Sequence, residues 1–405
     1  MSVMTQEKIT IKKERAEKIL LNRHPWIFSG AVSHVPQGTD AGDIVQVADA
    51  SGNIFAQAAY NPHSDIRLRI IKWEEKGIID DGWFLKHIKN LSLKKEHLLG
   101  ITEMPENKKN YRVVFSDADS IPGLIIDRYG LIFVIQLQTL FADKNRDLWV
   151  SIIKQLWNPS GVYEKSDVPV RKKEGLSDLP SGILSGEIPE KFIIEEDNFK
   201  IIVDVINGQK TGYFLDLRQI RKRVEYWCRI FNFEYIQNYF GYTGSFNLYA
   251  VRAGVKKIEH IDISQSANDI AKENSRINGF EKQIQVITAN SFEFLMNTHE
   301  ESVGAIILDP PSFVKTKAKI SSAVSGYERL NTLAMKKLAK GGLLFSLCCS
   351  SYIDEETFRK ILFKSSSRAH CDIKVIEKLG QDVDHSWSLN FPEGRYLQGW
   401  VLHKV

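Results

Sequence analysis

A chain of 405 residues has room for two or three domains, each able to bury its own core. Its 43% hydrophobic and 26% charged content are those of an ordinary soluble protein, and a net charge of +4 leaves any nucleic-acid binding to local clusters. No apolar run of about 18 residues and no signal-peptide core argue against membrane insertion or export. The 4 cysteines lack metal-ligand spacing, so no metal site is expected and the reducing cytoplasm is the expected compartment.

Residues from about Ile9 to Trp73 alternate apolar and polar positions between Gly, Pro and Asp breaks, the pattern of a small β-barrel. Lys12, Lys13 and Arg15 open a short helical turn, followed by Arg23-His24-Pro25-Trp26-Ile27-Phe28. Basic residues beside aromatics can hold RNA by charge and stacking; Trp26 and Phe28 can equally be core. Trp83, Phe84, Ile88 and Leu91 fit one face of a helix, and strand-like runs follow at 111–115, 124–127 and 131–137. With the helical pattern over 141–157 they predict a central α+β domain, whose Arg171-Lys172-Lys173 cluster is either RNA-facing or ordinary surface. The expected division is 1–75, 76–195 and 196–405.

From about residue 196 strands and helices alternate. The spacing predicts strands at 235–239, 257–261, 284–288, 305–308 and 343–347, with helices at 245–253, 265–277, 291–296, 327–338 and 355–363. Such alternation means a mostly parallel, doubly wound α/β sheet, closed here by an antiparallel final strand near 396–402. Gly241 and Gly244 follow the first strand, and Asp262 ends the second. A βαβ unit built this way holds ribose hydroxyls with the acid, while Gly241-x-x-Gly244 is too short to cradle a pyrophosphate. A nucleoside without phosphates therefore suits the site. Asn290, after the third strand, can meet an adenine or cap a helix.

Asp309-Pro310-Pro311 stops the fourth strand and aims a carboxylate from its carboxyl end, where open α/β sheets bind ligands. The fifth strand ends in Cys348-Cys349. A thiolate that adds to carbon 6 of cytosine makes carbon 5 nucleophilic, provided an acid partners ring nitrogen 3. Asp309 and one of the two thiols can supply those groups, or the thiols are buried hydrophobes and Asp309 a capping acid; strand alternation lets only one thiol face the crevice. Lys315 and Lys317 after the Pro-Pro turn, with Arg218 and Arg221, are candidates for a phosphate track.

These residues bring a family into view. Arg23-His-Pro-Trp-Ile-Phe-Ser-Gly30, Lys210-Thr-Gly-Tyr-Phe-Leu-Asp216, Tyr242-Thr-Gly-Ser-Phe246, Asp309-Pro-Pro-Ser-Phe313, Cys349-Ser350 and Pro392-Glu-Gly394 stand in order along nearly the whole chain. In these the chain resembles the bacterial RlmI-type 23S ribosomal RNA (cytosine-C5)-methyltransferases. The resemblance implies a PUA domain, a central α+β domain and a Rossmann-like domain using S-adenosylmethionine. It implies Cys349 as nucleophile and Asp309 as the acid at the cytosine, also bordering the cofactor. For the cofactor it implies Lys210, Thr211 and Phe214 in a covering segment, Phe240, Tyr242, Thr243 and Gly244 in the methionine-side loop, and Asp262, Ile263 and Ser264 at the ribose. Asn290 stands where such enzymes usually carry Asp, and Ser312 where many have a second cysteine, which implies a one-cysteine mechanism. The implied partner is large-subunit ribosomal RNA, with pairing of two chains left open. Two alternatives compete: methylation of a purine nitrogen, and an inactive RNA-binding assembly factor.

Overall fold

The computed structural model describes residues 7–73, 77–177, 181–314, 319–350 and 352–405, which divide into two compact units. One comprises Met1–Ile194, Val203–Leu215 and Val383–Gly394; the other Glu195–Ile202, Asp216–Asp382 and Arg395–Val405.

The first unit holds two sheets. Six strands order as Trp26–Phe28, Ile66–Lys72, Ile54–Tyr60, Ile44–Ala48, Lys8–Ile11 and Val32–His34 around a core of Ile9, Ile11, Val45, Val47, Leu68 and Ile70. Five more order as Gly182–Gly186, Gly161–Glu164, Ile132–Leu137, Leu124–Tyr129 and Asn110–Phe115, packed on the helices Asp81–Leu99 and Arg146–Trp157. Trp26 is structural: its indole N–H donates to Asp117 Oδ1 at 3.0 Å, and the Arg69 guanidinium lies 5.1 Å over its ring. Phe28, open to either reading, is 52% exposed.

The second unit carries the seven-stranded sheet. Its strands are β1 (Tyr235–Tyr239), β2 (Lys257–Asp262), β3 (Ile284–Thr288), β4 (Val303–Leu308), β5 (Leu338–Cys349), β6 (Ile373–Gly380) and β7 (Leu397–Lys404). The order is β3-β2-β1-β4-β5-β7-β6, with β1 to β5 parallel and β7 antiparallel to both neighbours. The helices are α1 (Arg218–Phe231), α2 (Ser245–Arg252), α3 (Gln265–Ile277), α4 (Ser291–Asn297), α5 (Ile320–Lys337) and α6 (Glu355–Ala369). β1 and β4 are adjacent although two strands, β2 and β3, separate them in sequence, so the chain switches sides between them and opens a crevice at their carboxyl ends. Only near-continuous apolar strands survive burial on both faces, which is why Ala305 to Leu308 are all fully buried. Helix α5 begins seven residues earlier than its expected start at Tyr327; Gly326 lies inside it, against Phe313, rather than ahead of it.

Candidate active site

At the carboxyl end of β1 the backbone is strained. Phe240 (φ 57°), Tyr242 (φ 49°) and Gly244 (φ 79°) all lie in the left-handed region, two of them with side chains that resist it. The turn is held from β2. Tyr242 N–H donates to Asp262 Oδ2 at 2.9 Å, and Ser264 N–H donates to Asp262 Oδ1 at 2.8 Å. Each carboxylate oxygen keeps acceptor capacity for a ribose hydroxyl. Ile263 is 70% exposed at the strand end, an apolar surface that suits a purine face. The Thr243 side chain is buried, its carbonyl accepting from Asn274 Nδ2 at 2.9 Å. Ser264 Oγ caps α3 through Ala267 N–H. Asn290 Oδ1 caps α4, accepting from Phe292 N–H at 2.9 Å and Glu293 N–H at 3.3 Å, so of its two expected uses the cap is realised.

Sequence reading missed the support beneath this turn. Asn238 Nδ2 donates to Asn247 Oδ1 (2.9 Å), Asn247 Nδ2 to His260 Nδ1 (3.0 Å) and His260 Nε2–H to Asn268 Oδ1 (3.2 Å). Asn268 Nδ2 then donates to the Asp262 carbonyl (3.0 Å) and to Thr288 Oγ1 (2.8 Å). The amide orientations place the imidazole proton on Nε2 and leave the ring neutral. The available signal was four polar side chains at positions that otherwise read as core. Burial pushes the His260 pKa down to about 4, against a smaller upward pull from Asp262. Its ordinary value is 6.5, so between pH 6.5 and 4 the unfolded chain takes a proton that the native imidazole refuses. Stability is complete above that window and falls as pH drops, by about 3 kcal/mol at pH 4 from this group. Urea unfolding of wild type and His260→Gln from pH 7 to 4 should show the wild-type curve losing that much more.

Across the crevice, Asp309 follows β4 and Cys349 ends β5. The Cys349 thiol donates to Asp309 Oδ1 at 3.5 Å, and Cys349 is half-buried. Cys348 points the other way, into the core with Tyr327, Phe358 and Trp400. Burial there pushes its thiol up to about 12, so it stays protonated and inert. Ser346, two residues earlier, shares that inward face, its Oγ donating to Asn331 Oδ1 at 2.6 Å. Alternation therefore leaves Cys349 as the thiol beside the acid.

Lys210, Thr211 and Phe214 belong to the first unit. Lys165 Nζ organises the approach to them, donating to the carbonyls of Val205 (2.9 Å), Ile206 (3.2 Å) and Gly208 (2.5 Å). Lys210 is exposed and its Nζ lies 4.3 Å over the Phe214 ring. Thr211 corrects the expectation of a cofactor contact. Its hydroxyl is buried, donating to Asp127 Oδ2 at 2.6 Å beside the Tyr129 hydroxyl at 2.9 Å, and so anchors the segment instead.

Three expected RNA contacts are corrected for the same reason. Arg171 is buried, its guanidinium bonded to the Leu137 carbonyl and to Asp143. Arg218 pairs with Glu196 and Asp382, and Arg221 with Glu196, all in the interior of the second unit. A buried, paired guanidinium offers no charge to a phosphate. Lys13, Arg15 and Lys172 are exposed and Lys12 half-exposed, while Lys315 and Lys317 lie outside the described residues. Among the described residues no helix is long and apolar enough to cross a membrane, and no cluster of His, Cys, Asp or Glu could hold a metal.

A 3-2-1-4-5-7-6 sheet with a strained turn after its first strand and an acid ending its second, preceded in the chain by a small β domain, defines a class. Residues 9–73 match the family model of a PUA-like domain and residues 167–387 that of an S-adenosylmethionine-dependent methyltransferase. The protein is an S-adenosylmethionine-dependent methyltransferase. It is 36% identical over 392 residues to ribosomal RNA large subunit methyltransferase I of Photobacterium profundum, covering 96% of this chain and 97% of that one. The chain belongs to the ribosomal RNA large subunit methyltransferase I family. The fold is shared with a solved chain described as a methyltransferase complexed with SAH (TM-score 0.80, 22% identity, 98% and 100% of the two chains). A Streptococcus mutans chain described as SAM-dependent superposes with TM-score 0.79 at 22% identity, again over 98% and 100%.

Proposed function

We propose that the protein methylates carbon 5 of a cytosine in large-subunit ribosomal RNA through a covalent Cys349 adduct. The observation that carries this reading is the 3.5 Å hydrogen bond from the Cys349 thiol to Asp309. A thiol donating to a carboxylate has a path for its proton, and the acid so formed can donate to ring nitrogen 3. The Cys349 sulfur then bonds to carbon 6 as the proton passes through Asp309 to the ring, giving an enamine whose carbon 5 is nucleophilic. S-adenosylmethionine supplies an electrophilic methyl group. Once carbon 5 carries that methyl its proton passes to a base; the nitrogen 3 proton then returns through Asp309 to the Cys349 sulfur as the bond from sulfur to carbon 6 breaks, which restores the ring double bond. With Ser312 in place of a second thiol, Cys349 acts alone.

Tyr242 to Gly244, Asp262, Ile263 and Asn290 form the donor site in this reading, with the strained turn following the methionine end and Asp262 the ribose. Residues 1–75 and 76–195 act as RNA-holding and spacing domains ahead of a catalytic domain at 196–405, in the cytoplasm. Lys13 and Arg15, exposed, and Lys12, half-exposed, engage phosphates in this reading, with Lys172 as a further surface cation. The test is incubation of the purified protein with S-adenosylmethionine and large-subunit RNA, followed by mass spectrometry of the nucleosides. 5-Methylcytidine is the expected product. A methylated purine, or no product on either naked RNA or particles, refutes the reading.

A further inference from the structure

Gly241 is a glycine for want of space, not for want of backbone freedom. Its φ lies outside the left-handed region, so no positive φ requires a glycine there. Yet a Cβ built there would sit 2.3 Å from His260 Cε1 and 2.4 Å from His260 Nδ1. The imidazole is fully buried directly beneath the turn, and Gly241 N–H also donates to the Ile261 carbonyl at 3.2 Å. His260 thus meets two parts of the site at once. One side fills the volume that Gly241 leaves empty; the other, through Asn268, holds the carbonyl of Asp262.

We propose that His260 is a positioning residue for the methyl-donor site, matched to Gly241, so that the strained turn and the ribose acid share one buried support. The inference rests on the reading of that turn and Asp262 as the donor site. Histidine suits the place because its neutral ring accepts from Asn247 on one side and donates to Asn268 on the other. An apolar replacement would take the His260 partner from the buried Asn247 Nδ2 donor and the buried Asn268 Oδ1 acceptor. Glutamine keeps one acceptor and one donor and is the conservative substitute.

Five variants decide it, with S-adenosylmethionine affinity by calorimetry, steady-state kinetics and urea unfolding read on each. Gly241→Ala should weaken donor binding about tenfold or more while kcat at saturating donor stays within about threefold, the signature of lost ground-state binding. His260→Ser should weaken binding several-fold, and His260→Gln should stay close to wild type. Gly241→Ala/His260→Ser should recover most of the affinity lost by Gly241→Ala, because the serine clears the clash. A double variant no better than Gly241→Ala overturns the matched pair. Coupling in stability with no change in affinity overturns the positioning role. Normal donor binding by Asp262→Ala instead overturns the assignment of the donor site.

Discussion

Cys349→Ser should abolish methyl transfer, with a loss of about four orders of magnitude or more, while donor affinity stays within about twofold. The substitution exchanges one atom in a half-buried position and keeps a hydroxyl able to donate to Asp309. What it removes is a polarisable nucleophile, since an alcohol ionises far less readily than a thiol and adds poorly to a pyrimidine ring. Donor affinity should hold because the exchange of one atom leaves the turn at 240–244 and its bonds to Asp262 unchanged. Single-turnover transfer to saturating RNA separates chemistry from binding. An RNA carrying 5-fluorocytosine at the target adds a second readout. Carbon 5 then has no proton to lose, and the wild-type protein should stay covalently attached while Cys349→Ser does not. Retained transfer by Cys349→Ser would mean that the methyl goes to an amine or ring nitrogen, which needs no adduct.

Asp309→Asn should lower kcat by about two to four orders of magnitude. The amide is isosteric and stays on the same stiff Asp-Pro-Pro turn, so the geometry after β4 should persist. An amide can neither take the thiol proton nor hand it to ring nitrogen 3, and both events use the one oxygen 3.5 Å from Cys349. The two losses should not multiply. In Cys349→Ser/Asp309→Asn the second change removes a proton path that no longer serves an attack, so the double variant should be scarcely worse than Cys349→Ser. A loss of less than tenfold in Asp309→Asn, or fully additive effects, would separate the acid from the thiol.

The partners of several corrected residues show where reading the chain reached its end. Arg218 and Arg221 stand beside Lys222 and Arg223 in α1, yet their acids, Glu196 and Asp382, lie 22 to 164 residues away. Arg171 finds Asp143 and a strand carbonyl. Thr211 finds Asp127, 84 residues upstream. Charge on a one-dimensional string carries no mark of whether a distant acid has neutralised it. His260 is the converse case: read as one strand residue among others, it acquires meaning only when Asn247, Asn268 and Gly241 surround it.

Chain order alone determined the alternation of strands and helices, the turn at 240–244, the acids at 262 and 309 and a thiol at the end of β5. Those features depend on periodicity and on terminators such as Gly and Pro-Pro, which act over a few residues. Only the tertiary structure decided which of two adjacent thiols meets the acid. The phase of alternation along β5 is set by its pairing with β4 and β7 and by the core that buries Cys348. The same assembly decided which cations remain exposed and why residue 241 has no side chain, because packing distance is a property of segments that the chain brings together only on folding.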